Sequence, residues 1–297
     1  MNIYECLKTI KHDIEECIVT GKNGDKQFDN GLLAKESFIR SSKLIGLLHE
    51  TVKHNLIEHG VYPGNIFPPF GFSNPEIKLA GFLKQKDQDI TVLPRNIEPK
   101  ETEIIWGPLS HEGIFDNYGL EYTRRSLVIN VRSQLSSLAK NADTLFERTF
   151  AEAMNLHLIY NDIVLGDVYL IPVYEYEQSA AKNNKIKFSN HRTNLEKYIS
   201  FFSSISGRKD TTKEEYKYER CALIIADFSQ EVPILYSTTK QLKDANLISQ
   251  NFDLELADIS FPNMIDDLLD IYSKRFDINN IVFENNINLD EIDDYNE

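Results

Sequence analysis

Between Ser126 and Ser137 the chain reads SLVINVRSQLSS, and this stretch constrains the fold more than any other. Side chains alternate across a strand, so Ile129, Val131 and Leu135 share one apolar face, while Asn130, Arg132 and Gln134 point together to the other. An amphipathic helix is expected directly after it, from about Asn141 to Leu158. Ala142, Leu145, Phe146, Phe150, Ala153 and Leu156 fall on its apolar side, with Asp143, Glu147, Arg148, Glu152 and Asn155 opposite. A second strand, DIVLGDVYLIPVYEY, follows. A strand with a polar face, an amphipathic helix and a long apolar strand in succession require a sheet covered by helices.

The rest of the pattern is compatible with that sheet. Helices are expected over residues 4 to 19 and 36 to 59, the latter stopped by Gly60. The stretch VYPGNIFPPFGFSNP turns the chain before a helix start at Glu76 and a strand LKQKDQDITVL. Thr193 and Glu196 have the spacing of a capping box opening a helix that Gly207 closes. CALIIADF and VPILYST read as a strand pair, and Pro262 opens a last helix reaching about Phe276. The expected fold class is mixed α/β, a central mixed β-sheet flanked by helices. The expected division is an N-terminal helical region over residues 1–70, an α/β core over 71–276 and an acidic tail over 277–297 whose composition predicts flexibility.

Charge has to be placed before it is used. The net charge is −14, but residues 277–297 hold seven acids and no Lys or Arg, which leaves −7 on the first 276 residues. Ten basic residues against five acids lie between Ala181 and Arg220. Lys185, Lys187, Arg192 and Arg208 in this stretch are candidate phosphate contacts, with a solvated surface as the plainer reading. Cys6, Cys17 and Cys221 have neither CxxC nor zinc spacing, and together with the lack of a signal-like apolar segment they point to a cytoplasmic chain with free thiols. No apolar run approaches the ~18 residues of a bilayer span, so no membrane partner is expected.

Several chemistries lack their motif. HETVKH at His49–His54 sets its two His five apart, about 140° around a helix, where a shared zinc needs i, i+4. No GxGxxG, GxxxxGK[ST] or GxSxG pattern occurs. What persists is a set of carboxylates around INVRSQ. Alternation puts Asp87 and Asp89 on one face of the upstream strand, and Glu147 projects from the outer side of the helix. Two carboxylates converging on a hydrated Mg²⁺ suit phosphodiester hydrolysis, with a nearby cation to stabilise the added negative charge.

The series Glu76, Asp89, INVRSQLSS, Glu147 resembles the active-site order of the PD-(D/E)xK nuclease superfamily, in particular type II restriction endonucleases. There a helix Glu precedes a strand Asp, and a strand written (I/V)ExK follows. In this chain Asn130 stands at the Glu position and Arg132 at the Lys position, and Arg cannot shuttle a proton. Some members supply the second carboxylate from the following helix, a role the resemblance gives to Glu147. It implies a restriction-endonuclease-like fold with Asp89 and Glu147 as Mg²⁺ ligands and Arg132, Asn130, Gln134 and Glu76 beside them. It further implies double-stranded DNA as substrate and a homodimer to cut both strands of a symmetric site. Asp167 and Glu175 form a reserve acidic pair. The alternatives are a catalytically degenerate nuclease-fold subunit that binds nucleic acid or a partner protein, and a defence or toxin-like protein using the polar pocket for a nucleotide or another small ligand.

Overall fold

The computed structural model describes residues 1–283. In chain order its main elements are helices α1 (Ile3–Thr20), α2 (Gly31–Ile39) and α3 (Ser42–Glu58), then strands β1 (Ile66–Phe67), β2 (Ile77–Ala80), β3 (Gln85–Gln88), β4 (Ile90–Val92) and β5 (Leu127–Ser133). Helix α4 (Leu138–His157), strands β6 (Val164–Pro172), β7 (Tyr174–Tyr176) and β8 (Phe188–Arg192), and helix α5 (Leu195–Ile205) follow. Strands β9 (Arg220–Asp227) and β10 (Ile234–Tyr236) and helix α6 (Met264–Arg275) complete the set.

Six strands make the central sheet, in the order β10-β9-β6-β5-β4-β1. The three longest, β5, β6 and β9, run parallel to one another, whereas β4, β1 and β10 are antiparallel additions at the two edges. The mixed α/β class expected from the sequence is therefore the observed one. Parallel strands need cover on both faces. Ile129, Val131, Val168, Leu170 and Ile224 pack in one buried cluster with residues of α1, α2, α3 and α6. Val128, Leu165, Tyr169, Leu223 and Ile225 pack in a second with residues of α4 and α5. The alternation read in INVRSQ thus divides the strand between these two cores.

The N-terminal helices, expected as a separate region up to residue 70, pack in one buried cluster with the sheet. Asn2 and Glu5 close a reciprocal capping box on α1, and Gly21 ends it at φ 66°. The single helix expected over 36 to 59 is two helices, because Ser41 takes an extended conformation (φ −81°, ψ 157°) and its hydroxyl bonds the Phe38 carbonyl at 2.7 Å. Helices α1 and α2 cross so closely that a Cβ on Gly31 would lie 2.0 Å from the Ile18 carbonyl oxygen. At the other end, the start of the acidic tail is packed: Val282 pairs with Val61, and Arg95 bonds the carbonyls of Asn279 and Val282 at 2.9 and 3.1 Å. The tail beyond Phe283 lies outside the described residues.

Two local readings also change. The strand expected over LKQKDQDITVL is interrupted at Asp89: β3 pairs with β2 in a separate hairpin, and β4 joins the main sheet. The α5 cap is Asn194, which accepts from the Lys197 amide at 3.2 Å, while Thr193 donates to the Pro172 carbonyl and Glu196 accepts from the Ser249 amide.

Replacing Gly31 by Ala forces a methyl group into the Ile18 backbone. A destabilisation of about 2 to 3 kcal/mol is expected, at the upper end of overpacking costs. Urea unfolding followed by circular dichroism checks it, and an unchanged midpoint contradicts the crossing geometry.

Candidate active site

The sheet register builds the site. Asn130 on β5 stands beside Asp167 on β6, and Asp167 beside Cys221 on β9. Ile90 pairs with Ile129, so one step along, at the kink that separates β3 from β4, Asp89 comes opposite Asn130. Its Oδ2 accepts a hydrogen bond from the Val131 amide at 2.8 Å. Asp89 at the kink and Asn130 and Asp167 on neighbouring strands therefore form one row, and the strand spacing of about 4.8 Å brings adjacent side chains within reach of a shared ligand. Asn130 and Asp167 are buried, and Asn130 Oδ1 and Asp167 Oδ2 have no hydrogen-bond partner. Burial lifts the Asp167 pKa to about 6, against the opposing pull of Arg132.

Arg132, two residues along β5, explains why this face is tolerated in the interior. Its Nη1 donates to Asp167 Oδ1 at 2.8 Å and to Thr149 Oγ1 at 3.1 Å, and Nη2 meets Glu152 Oε2. Burial works most strongly against the cation, but Asp167, Tyr218 and Asp89 together outweigh it and hold the guanidinium pKa above its ordinary value. Glu152 Oε1 also receives Lys86 Nζ at 3.1 Å and Arg148 Nε at 3.0 Å. Lys86 is pulled down to about 8, chiefly by burial, with Asp89 opposing and Arg132, Arg148 and Lys84 reinforcing. An ammonium with that pKa exchanges its proton near neutral pH, as a guanidinium cannot.

The helix carboxylate beside Arg132 is thus Glu152, and the assignment of Glu147 as a metal ligand is corrected. Thr149, Glu152 and Asn155 face inward on α4, whereas Glu147 is exposed. It lies about 140° from Glu152 around the helix. The inward polar groups were read as the outer face because hydrophobicity alone ranks Phe150 above Glu152. Phe150 is in fact exposed. Arg132 draws Glu152 in.

Gln134 is an interior amide and is removed from the catalytic set. Its Oε1 accepts from the hydroxyls of Tyr169 and Tyr198, both at 3.1 Å, and its Nε2 donates to the Ser137 carbonyl at 3.2 Å. It holds the turn in which Ser137 adopts φ 57°, with Glu175 accepting from the Ser137 and Leu138 amides at 2.7 and 3.2 Å. The reserve pair is therefore split: Asp167 is in the row, and Glu175 caps α4. Glu76 is not on a helix. It is exposed, directly before β2, where Ile77 pairs with Gln88. Partial burial, Asp89 and Asp87 raise its pKa.

The sequence alone does not place His49, Lys86 or Glu152 at the site. His49 Nε2 is buried without a hydrogen-bond partner, and its pKa is lowered by burial against an opposing pull from Asp89. The signal for Lys86 and Glu152 was their spacing from Asp89 and Arg132, which acquires meaning only once the kink at Asp89 is known. Among the described residues, the three-residue group of potential ligands with atoms within 4.8 Å is His12, Asp13 and Glu16 on α1. Lys43 pairs with Asp13 there at 2.8 Å.

The basic segment does not form one phosphate-binding stripe. Arg208 is buried, donating to the Asn161 and Thr211 carbonyls at 2.8 Å each and pairing with Glu219 at 3.3 Å, so its nucleic-acid assignment is corrected. Lys187 pairs with Glu177 at 2.6 Å. Lys185 and Arg192 are exposed, the latter bonded to the Asn246 carbonyl. Among the described residues no helix is long and apolar enough to cross a membrane.

No protein-family model matches this chain, and neither a curated protein nor a solved structure does.

The raised pKa of Asp167 makes its contribution to stability pH-dependent. The folded state holds its proton more tightly than the unfolded state, so the contribution is full below the ordinary value of 3.8 and is lost as pH rises through about 6. Between pH 4 and 6 the unfolding free energy of the wild type should fall relative to that of Asp167→Asn. Parallel stability curves for the two proteins contradict this.

Proposed function

We propose that the chain is a Mg²⁺-dependent endonuclease hydrolysing phosphodiester bonds in DNA, with its centre at the Asp89, Asn130 and Asp167 row. The observation that carries this reading is the row itself: two carboxylates flank a buried amide, and two of the row's oxygens have no hydrogen-bond partner. A hard divalent cation takes oxygen ligands of this kind. Asp89, Asp167 and the Asn130 carbonyl would hold it. When bound, such an ion lowers the pKa of a coordinated water and neutralises phosphate charge.

The remaining chemistry belongs to the chain's own cations. Arg132 is fixed by Asp167, Glu152 and Thr149 and sets a permanent positive charge one row away. Lys86 supplies the exchangeable proton that Arg132 cannot, and Glu152 holds both. Cutting both strands of a symmetric site calls for two such centres, so the proposal includes a homodimer.

One observation favours a second reading, a degenerate nuclease-fold subunit that binds nucleic acid or a partner protein without cutting. Arg132 is only 11% exposed and is enclosed by two carboxylates, an arrangement that also serves as a buried ion pair.

Plasmid nicking in Mg²⁺, with EDTA as control, decides between them. Asp89→Asn should reduce cleavage at least ~100-fold with DNA binding preserved, the scale of losing a group that organises the transition state. Glu147→Gln should cut like the wild type. A wild type that binds DNA but never nicks it favours the subunit reading, and an active Asp89→Asn removes the row from the chemistry.

A further inference from the structure

The loop between β1 and β2, Pro68 to Glu76, has a shape the core does not require. Its position follows from register. Phe67 pairs with Thr91, so the chain leaves β1 toward the Asp89 end of β4. It returns at Glu76, next to the Ile77–Gln88 pair. The loop thus starts and ends beside Asp89.

A wholly buried lysine fixes it. Lys53 on α3 is 0% exposed, and its ammonium donates to the carbonyls of Pro69 and Phe72 at 3.1 and 2.8 Å and to Glu50 Oε1 at 2.6 Å. Glu50 Oε2 accepts from the Gly71 amide at 2.7 Å, where Gly71 has φ 81°. Desolvating an ammonium is costly unless it is fully bonded, so this arrangement rigidifies the loop at considerable expense. The loop so held displays two aromatic rings to solvent: Phe72 is 57% exposed and Phe70 37%. Phe70 lies 6.3 Å from the His54 ring.

We propose that Phe70 and Phe72 are a stacking platform for unpaired nucleobases, so that the strand reaching the Asp89 row is bound with bases out of the duplex. This rests on the phosphodiesterase reading of the row. The choice of nucleic acid follows from charge. Lys86 and Arg148 converge on the same Glu152 oxygen beside Arg132, which sets cations for a phosphate backbone near the row. Rigid exposed rings alongside such cations are the combination that binds single strands, because every base offers a π-face whatever its sequence. An uncharged apolar partner would gain nothing from these cations.

The test is fluorescence anisotropy with the full chain in EDTA, using a labelled thymidine oligonucleotide of about 20 nucleotides and the duplex it forms with its complement. Phe70→Ala and Phe72→Ala should each weaken single-strand binding roughly 10-fold, and the double variant roughly 100-fold, with duplex affinity within about two-fold of the wild type. Phe72→Trp should bind the single strand at least as well as the wild type, which separates loss of stacking from loss of fold. The salt slope should be unchanged in all variants, since no phosphate contact is removed. An unchanged single-strand affinity in the double variant overturns the platform, as does an equal loss on the duplex. A wild type that nicks plasmid but does not bind the oligonucleotide overturns the platform alone. Ring-dependent binding by a protein that never cuts overturns the phosphodiesterase reading and leaves the platform standing.

Discussion

The ion group around Arg132 is the interaction on which the rest of the site depends. A guanidinium in the middle of a sheet, covered by a helix, is tolerable only when carboxylates surround it, and here Asp167 comes from the neighbouring strand and Glu152 from the helix above. This requirement sets the rotation of α4. Turning Thr149 and Glu152 toward Arg132 leaves Phe150 partly outside, stacked on Tyr216, and turns Glu147 out as well. The same Glu152 draws in Lys86, so one buried arginine organises a strand, a helix and the neighbouring hairpin.

Much of the architecture was legible because hydrophobic periodicity reports which face is buried. The alternation in INVRSQ, the apolar run of β6 and the pairing of CALIIADF with VPILYST all reflect burial and appear as read. Periodicity failed where polar groups are buried. Gln134 looked like part of a wet face, yet its amide is satisfied by two tyrosine hydroxyls and a carbonyl. Arg208 looked like surface charge and is an interior cation. Nothing in the local pattern separates a solvated polar side chain from a satisfied one, because the partners lie tens of residues away. The two-helix break at Ser41 and the kink at Asp89 were missed for a related reason, since neither carries a Gly or Pro.

The site itself was half legible. Asp89 and Arg132 were identifiable from their positions around one strand, and Asp89 does reach that strand, accepting from the Val131 amide. The second carboxylate was expected from the helix that follows Arg132, with Asp167 in reserve, whereas the register sets Asp167 beside Asn130 from β6. Parallel pairing of Asn130 with Asp167 cannot be read from either segment alone.

That lateral placement has a chemical consequence. A carboxylate at position 130 would stand between Asp89 and Asp167, three negative charges in adjacent strands with one arginine to balance them, and mutual repulsion would push at least one to hold its proton. Asparagine at 130 keeps an oxygen in the row and removes that charge. With Asn130 between them, Asp89 and Asp167 are the two carboxylates of the row. Asp167 takes Arg132 as its partner, so the cation that stabilises the fold also stands beside the row. A lysine in its place would offer one flexible point charge where Asp167, Glu152 and Thr149 present three separate acceptors, and the planar fork of arginine meets all three at once. The ammonium paired with Glu152 is that of Lys86, which comes from the neighbouring hairpin.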